Sequence, residues 1–341
     1  MKRIGVLTGG GDCPGLNAVL VGIVRKSIKE GYEVIGIKHG WKGMIEKETV
    51  PLDLKAVTGC IHRGGTIIRT SRTNPLKSKD DIKKVAENYR ALKLDALIAI
   101  GGDDTLGVAA GMYKEGLNTV GVPKTIDNDI SGTDRTFGFD TAVNFATWAL
   151  DRLHTTAESH ERVIVVEIMG RHAGWLALWA GMAGGADVIL IPEVQVGLEE
   201  ICSILKERHE KRGRTFSIVA VAEGASFGED ITQDDSQDEF GHVKLGGVAE
   251  FLAKEIQERT GYETRHVVLG HLQRGGEPSA LDRYLGLLFG LHAVELVKNE
   301  DFGKMVSLRG NDFVAVTLEE VTAGTRTVPP ELYEQAKVFF G

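Results

Sequence analysis

Six times along this chain a short apolar run, rich in β-branched residues, stops abruptly at glycine and polar residues. Residues 4–8 run into Gly9-Gly10-Gly11-Asp12, residues 97–100 into Gly101-Gly102-Asp103-Asp104, and residues 119–122 into Pro123-Lys124-Thr125-Ile126-Asp127. Residues 163–168 run into Met169-Gly170-Arg171, residues 217–222 into Glu223-Gly224, and residues 266–269 into Gly270-His271-Leu272-Gln273-Arg274. Near-continuous apolar runs of this length suit parallel strands covered on both faces. Between them lie amphipathic stretches at 18–30, 141–155, 199–212 and 248–259. Strand alternating with helix predicts an α/β fold with right-handed crossovers. Ligands in such sheets bind beyond the carboxyl ends of the strands. All six polar loops lie at that end, so together they predict a site.

A chain of 341 residues predicts two domains or one large α/β unit. Its net charge of -8 argues against a nucleic-acid binder held by phosphate contacts. Small anionic ligands stay open, because local arginines set the field inside a cleft. Cys13, Cys60 and Cys202 form no close pair, which points to a reducing compartment without a disulfide framework. The first apolar run is too short for a signal-peptide core. Residues 173–192 contain Asp187 and several glycines, and read as helix, turn and strand rather than a membrane span. The expectation is a cytoplasmic protein with no membrane contact. Residues 227–241 are acidic and nearly devoid of apolar side chains, and predict an exposed insertion.

The loops carry distinct chemistry. The glycines of 9–15 precede a helix, where backbone N–H groups suit a phosphate; a plain tight turn is the other reading. Pro14 breaks the dinucleotide fingerprint, and the lysine of a P-loop is missing. Asp103 and Asp104 follow Gly102, where a carboxylate can hold Mg2+ beside substrate phosphates. One of the two acids would be enough for helix capping. Lys124-Thr125-Ile126-Asp127-Asn128-Asp129 groups a cation, a hydroxyl and carboxylates, the parts that phosphoryl transfer needs. Acidic loops are also commonly just solvated. Arg72, Arg162, Arg171, Arg265 and Arg274 are candidate phosphate ligands, since a guanidinium pairs bidentately with phosphate.

Taken together, these loops resemble the phosphofructokinase family, whose members phosphorylate the 1-hydroxyl of fructose 6-phosphate. The matching motifs are residues 9–15, Gly64-Gly65-Thr66 through Arg72, residues 101–105 and 125–129, Met169-Gly170-Arg171, Glu223, and residues 270–276, in family order. The resemblance implies two Rossmann-like three-layer α/β domains with parallel-dominated sheets and an active site in the cleft between them. It places residues 1–138 plus 251–300 in a donor-binding domain, and 139–250 plus 301–341 in a sugar-phosphate domain. It implies Asp127 as general base, Asp103 as the Mg2+ ligand, and Gly11, Gly102 and Arg72 toward the donor, with Arg72 and Thr125 favouring the transition state. Asp129, Met169, Gly170, Arg171 and Glu223 would place the sugar, and His271 and Arg274 its 6-phosphate. Arg162 and Arg265 would reach a neighbouring subunit's site, in a homotetramer or homodimer.

In two positions the chain departs from the ATP-using bacterial pattern that it otherwise resembles: Asp104 and Lys124 stand where those enzymes usually carry glycine. An Asp104 carboxylate would project toward the α-phosphate of ATP, and like charges brought together cost several kcal/mol. Lys124 adds positive charge where pyrophosphate lacks a nucleoside. The pair resembles that of the pyrophosphate-dependent branch. The expected reaction is a reversible transfer from pyrophosphate to fructose 6-phosphate. The alternatives are an ATP-dependent 6-phosphofructokinase and a non-catalytic sugar-phosphate sensor. Lipid and NAD kinases share the Gly-Gly-Asp motif but lack the other loops.

Overall fold

The computed structural model describes residues 2–211, 213–227, 234–237, 243–244 and 246–340. Its contacts divide the chain into two compact units. The first holds Met1–Ile126, Ile130–Thr141 and Arg274–Thr325. The second holds Asp127–Asp129, Ala142–Gln273 and Arg326–Gly341.

The first unit is built on β1 (Arg3–Thr8), β2 (Glu33–Ile37), β3 (Thr49–Pro51), β4 (Ala96–Gly101), β5 (Thr119–Thr125), β6 (Phe137–Gly138), β13 (Lys304–Arg309) and β14 (Asp312–Thr317). The sheet order is β14-β13-β5-β4-β1-β2-β3, with β6 paired to β5. β1 pairs in parallel with β2 and β4, and β5 pairs in parallel with β4, β6 and β13. Only the outer strands β3 and β14 run antiparallel to their neighbours. Successive side chains of β1, β4 and β5 are buried alike, among them Ile4, Val6, Ile98, Ile100, Val120 and Val122. That is the pattern of strands covered on both faces.

In the second unit, β7 (Val163–Ile168), β8 (Val188–Leu190), β9 (Ser217–Ala222) and β12 (Thr264–Val268) form an all-parallel sheet in the order β12-β7-β9-β8. Its core joins Val163, Val165, Val219 and Val221 to Ile201 and Leu205 of the helix Leu198–Lys206. Leu252 and Ile256 of the helix Val248–Thr260 complete it. β10 (Asp234–Gln237) and β11 (Val243–Lys244) form a short antiparallel pair. The rest of the acidic stretch at 227–241, beyond Phe227 and β10, lies outside the described residues, and so does the question of its exposure.

All six glycine-terminated runs are strands, but β12 differs from the sequence reading. It is an edge strand, and Arg265, His266 and Val268 are exposed. The unit boundaries also fall later than 251 and 300. The helix Val248–Thr260 leads into β12, which registers with β7 (Thr264 opposite Val163), so this segment stays with the second unit. β13 registers with β5 (Lys304 opposite Val120) and carries residues 301–325 into the first unit. No helix among the described residues is long and apolar enough to cross a membrane.

Candidate active site

In the first unit the two glycine loops are fixed by backbone bonds. Gly9 N donates to Ile100 O at 2.9 Å, and Gly10 N donates to Ser71 O at 2.9 Å, next to the exposed Arg72. Thr70 Oγ1 donates to Gly10 O at 2.6 Å. Two cations then converge on the loop. The Lys124 ammonium donates to Gly11 O, and Arg274 Nη1 donates to Asp12 O at 3.4 Å. A β-carbon at Gly11 would fall 2.4 Å from Arg274 Nη1, so glycine is what lets the guanidinium lie there. Arg274 Nε is buried without a hydrogen-bond partner among the described residues. A buried charge must be hydrogen-bonded to be tolerated, and Lys124 is only 4% exposed at the end of β5. Burial pushes the neighbouring Cys13 thiol far above its usual range, outweighing the nearby Lys124 and Arg274 charges.

Gly102 is the N-cap of the helix Asp103–Lys114 and offers no side-chain cap. Asp103 is exposed and Asp104 partly so, both in the first turn. Helix N-termini favour anions through their orphan N–H groups and dipole, and here two carboxylates share that position. Thr125 closes β5, and its carbonyl accepts from Thr136 Oγ1 at 2.8 Å.

The second unit begins its first segment at Asp127, which is 4% exposed. Asn128 follows with φ 55°, a left-handed conformation that asparagine tolerates better than most residues. Arg326 holds this segment. Its N–H donates to Asp129 O at 2.8 Å, and its Nη1 donates to Asn128 O at 3.0 Å.

Beyond β7, the loop Met169-Gly170-Arg171 is organised by Glu223 at the end of β9. Glu223 Oε1 accepts from Gly170 N at 3.3 Å and from Arg171 N at 2.9 Å. Gly170 sits at φ 148° and Arg171 at φ 54°. The carboxylate therefore faces inward to fix the turn, and the turn presents Arg171. Farther along, Glu193 accepts from Gly174 N at 2.9 and 3.0 Å, and its Oε1 also accepts from Val328 N at 2.8 Å.

At the amino-terminal ends of β7 and β12, Arg162 Nη2 and Arg265 Nη2 both donate to Glu263 Oε1, at 2.7 and 2.6 Å. The Arg162 hydrogen bond, followed by both guanidinium charges, holds the Glu263 carboxyl below its usual range against desolvation. His271 is exposed on the turn Gly270–Arg274.

Of the residues singled out in the sequence, the first unit gathers Gly11, Gly102, Lys124 and Arg274, with Arg72, Asp103, Asp104 and Thr125 directly adjoining. The second gathers Met169, Gly170 and Arg171 on Glu223, pairs Arg162 with Arg265 through Glu263, and holds Asp127 and Asp129 beside Arg326. Arg326, Glu193 and the buried Asp282 were not visible in the sequence. Arg326 and Glu193 act on backbone groups, and no glycine flanks them to mark a strand-end loop.

The phosphofructokinase family pattern matches residues 3–297. A pyrophosphate–fructose 6-phosphate 1-phosphotransferase of Streptomyces coelicolor is 59% identical over 343 residues, covering 99% of this chain and all of that protein. An ATP-dependent 6-phosphofructokinase 3 of the same organism is 49% identical, over 98% of this chain and 99% of that one. Among solved structures, the phosphofructokinase of Saccharomyces cerevisiae matches with a TM-score of 0.82 and 33% identity. That match covers 94% of this chain but 45% of the longer yeast chain.

Proposed function

The chain belongs to the phosphofructokinase family, and we propose that it transfers a phosphoryl group from pyrophosphate to the 1-hydroxyl of fructose 6-phosphate, reversibly, giving fructose 1,6-bisphosphate. The observation that carries the choice of donor is the buried Lys124 ammonium on the Gly11 carbonyl, together with Asp104 in the first turn of the helix behind Gly102. The cation supplies charge to a donor that is all phosphate. The carboxylate repels a third phosphate, and a difference of about 1.4 kcal/mol already discriminates tenfold. The 59% identical relative bears the pyrophosphate name. The ATP-dependent name of the 49% identical relative keeps ATP as the second reading.

On this reading Asp127 accepts the proton of the sugar 1-hydroxyl as the hydroxyl oxygen attacks phosphorus. The burial of Asp127 keeps bulk water from competing for that proton. Thr125 and Arg72 donate to the transferring phosphoryl group, where charge accumulates. Gly11, Gly102 and Lys124 hold the donor. Asp129, Met169, Gly170, Arg171 and Glu223 place the sugar, and His271 and Arg274 its 6-phosphate. Asp103 suits Mg2+. It offers one exposed hard carboxylate, and among the described residues no cluster of three His, Cys, Asp or Glu forms a closed metal cage. That donor set matches an ion held by one or two carboxylates plus substrate phosphates. When bound, Mg2+ neutralises phosphate charge. Arg162 and Arg265 complete a neighbouring subunit's sugar site, so the active form is a homodimer or homotetramer, working in the cytoplasm.

A coupled assay of fructose 6-phosphate with each donor in turn tests the reading. Pyrophosphate should support turnover and ATP should not; strong activity with ATP and none with pyrophosphate would overturn the donor assignment.

A further inference from the structure

One residue outside every family motif named above ties together the two loops assigned to base catalysis and sugar placement. Arg326 takes both carbonyls that follow Asp127: its N–H donates to Asp129 O at 2.8 Å and its Nη1 to Asn128 O at 3.0 Å. The segment it holds includes the left-handed Asn128, at φ 55°. Asparagine reaches that conformation at little cost, so the contact with Arg326 selects it rather than forcing it. The same guanidinium lies over the ring of Trp175, with Cζ 4.0 Å from the centroid. Trp175 Nε1 donates back to Arg326 O at 3.0 Å. Trp175 opens the helix that follows the Met169–Gly174 loop and is 5% exposed. Two residues farther on, Val328 N donates to Glu193 Oε1, and Glu193 takes Gly174 N with both oxygens. The returning segment 326–328 therefore holds the end of the sugar loop, through Glu193, and the Asn128 and Asp129 carbonyls that follow Asp127.

We propose that Arg326 is a positioning residue for Asp127, and that residues 326–328 act as a strap setting the base loop relative to the Met169–Gly174 loop within the second unit. The proposal rests on the reading of Asp127 as the base. Its physical content is geometric. A general base must lie within hydrogen-bond reach of its proton, and a displacement of about 1 Å can cost on the order of a hundredfold in rate. The Arg326 guanidinium fixes the Asn128 carbonyl, on the carboxyl side of Asp127, whereas the bond to Asp129 O comes from the main-chain N–H and survives substitution of the side chain. A planar guanidinium is required because one group must donate in plane while its face stacks on an indole, which a lysine ammonium cannot do.

The test compares wild type, Arg326→Ala, Arg326→Lys and Trp175→Phe in steady-state turnover of fructose 6-phosphate, with thermal melting as a folding control. Arg326→Ala should lower kcat by about ten- to a hundredfold while the KM for fructose 6-phosphate stays within about threefold. Added guanidinium at millimolar concentration should restore part of the Arg326→Ala rate. Arg326→Lys, which keeps a donor for Asn128 O, should fall between Ala and wild type. Trp175→Phe keeps an aromatic face but loses the bond to Arg326 O, and should also lower kcat, by less than Ala does. Should Arg326→Ala fail to fold, the Lys and Phe variants decide by the same kcat-against-KM split. A wild-type kcat in Arg326→Ala would overturn the proposal, as would a loss confined to KM or a loss that neither guanidinium nor lysine restores. A wild-type enzyme active with ATP alone would overturn the donor assignment, and the same ratios would then be read with ATP. Inactivity with both donors would overturn the catalytic reading and the strap with it.

Discussion

Replacing Lys124 by methionine separates a role in donor binding from a role in folding. The side chain is 4% exposed, and its ammonium donates to Gly11 O. Methionine has similar length and keeps most of the packing, so the change removes the charge and its hydrogen bond. A hydrogen bond involving a charged group is worth about 1.5–3 kcal/mol. At about 1.4 kcal/mol per decade, losing it toward the phosphates should lower kcat/KM for pyrophosphate by about ten- to 150-fold. Stability should fall by about 1–3 kcal/mol, the cost of leaving the Gly11 carbonyl without this donor, with the rest of the packing kept. The assay varies pyrophosphate at saturating fructose 6-phosphate and is paired with a thermal melt. An unchanged kcat/KM would refute the reasoning. So would a fall in kcat/KM that tracks a large drop in melting temperature, since Lys124 would then be structural.

Asp104→Gly removes the carboxylate from the first turn of its helix, and should admit ATP as a donor or as a competitive inhibitor in initial-rate measurements. Gly224→Ala would bring a β-carbon 2.0 Å from Arg171 O. The backbone must shift, at a cost of about 1–3 kcal/mol, and the KM for fructose 6-phosphate should rise as the Arg171 turn moves; denaturant titration and kinetics read the two effects. Asp282 is fully buried and accepts from Thr141 N and Oγ1 at 2.8 and 2.6 Å. Burial pushes its carboxyl up to about 6 from an ordinary 3.8, against the opposing Thr141 hydrogen bonds. The folded state therefore favours the protonated acid. The resulting stabilisation is fully present below pH 3.8 and is lost as pH rises through about 6. Relative to Asp282→Asn, wild type should lose stability on the order of 3 kcal/mol across that window, as read by urea unfolding at a series of pH values.

The strands at the centre of each sheet were legible because burial on both faces leaves an unbroken apolar run ending where the chain turns. β1, β4, β5, β7 and β9 all show it. β12 was legible as a strand but not as an edge, because edge position depends on which neighbour is missing. The β13–β14 hairpin escaped because nothing in the residues of either strand says which sheet it joins. Its pairing with β5 is long-range, and that pairing moved the unit boundary from 300 to 325. Within the candidate site, loops that project side chains from strand ends announced themselves through glycine and charge. Glu223 was found by that rule, although it turns its carboxylate onto backbone N–H groups. Arg326 gave no such sign. Its neighbours are Thr325 and Thr327, and it works on the carbonyls of Asn128 and Asp129, which no side-chain pattern records.

Everything proposed for the reaction turns on Asp127, and one substitution addresses it. Asp127→Asn keeps size and shape but removes the basic oxygen. Measured side by side, turnover and fructose 6-phosphate affinity by calorimetry should part company: kcat should fall by about 100- to 10,000-fold while the sugar phosphate still binds within about threefold of wild type. A variant that turns over at the wild-type rate, or one that loses sugar binding in step with turnover, would contradict the assignment of Asp127 as the base.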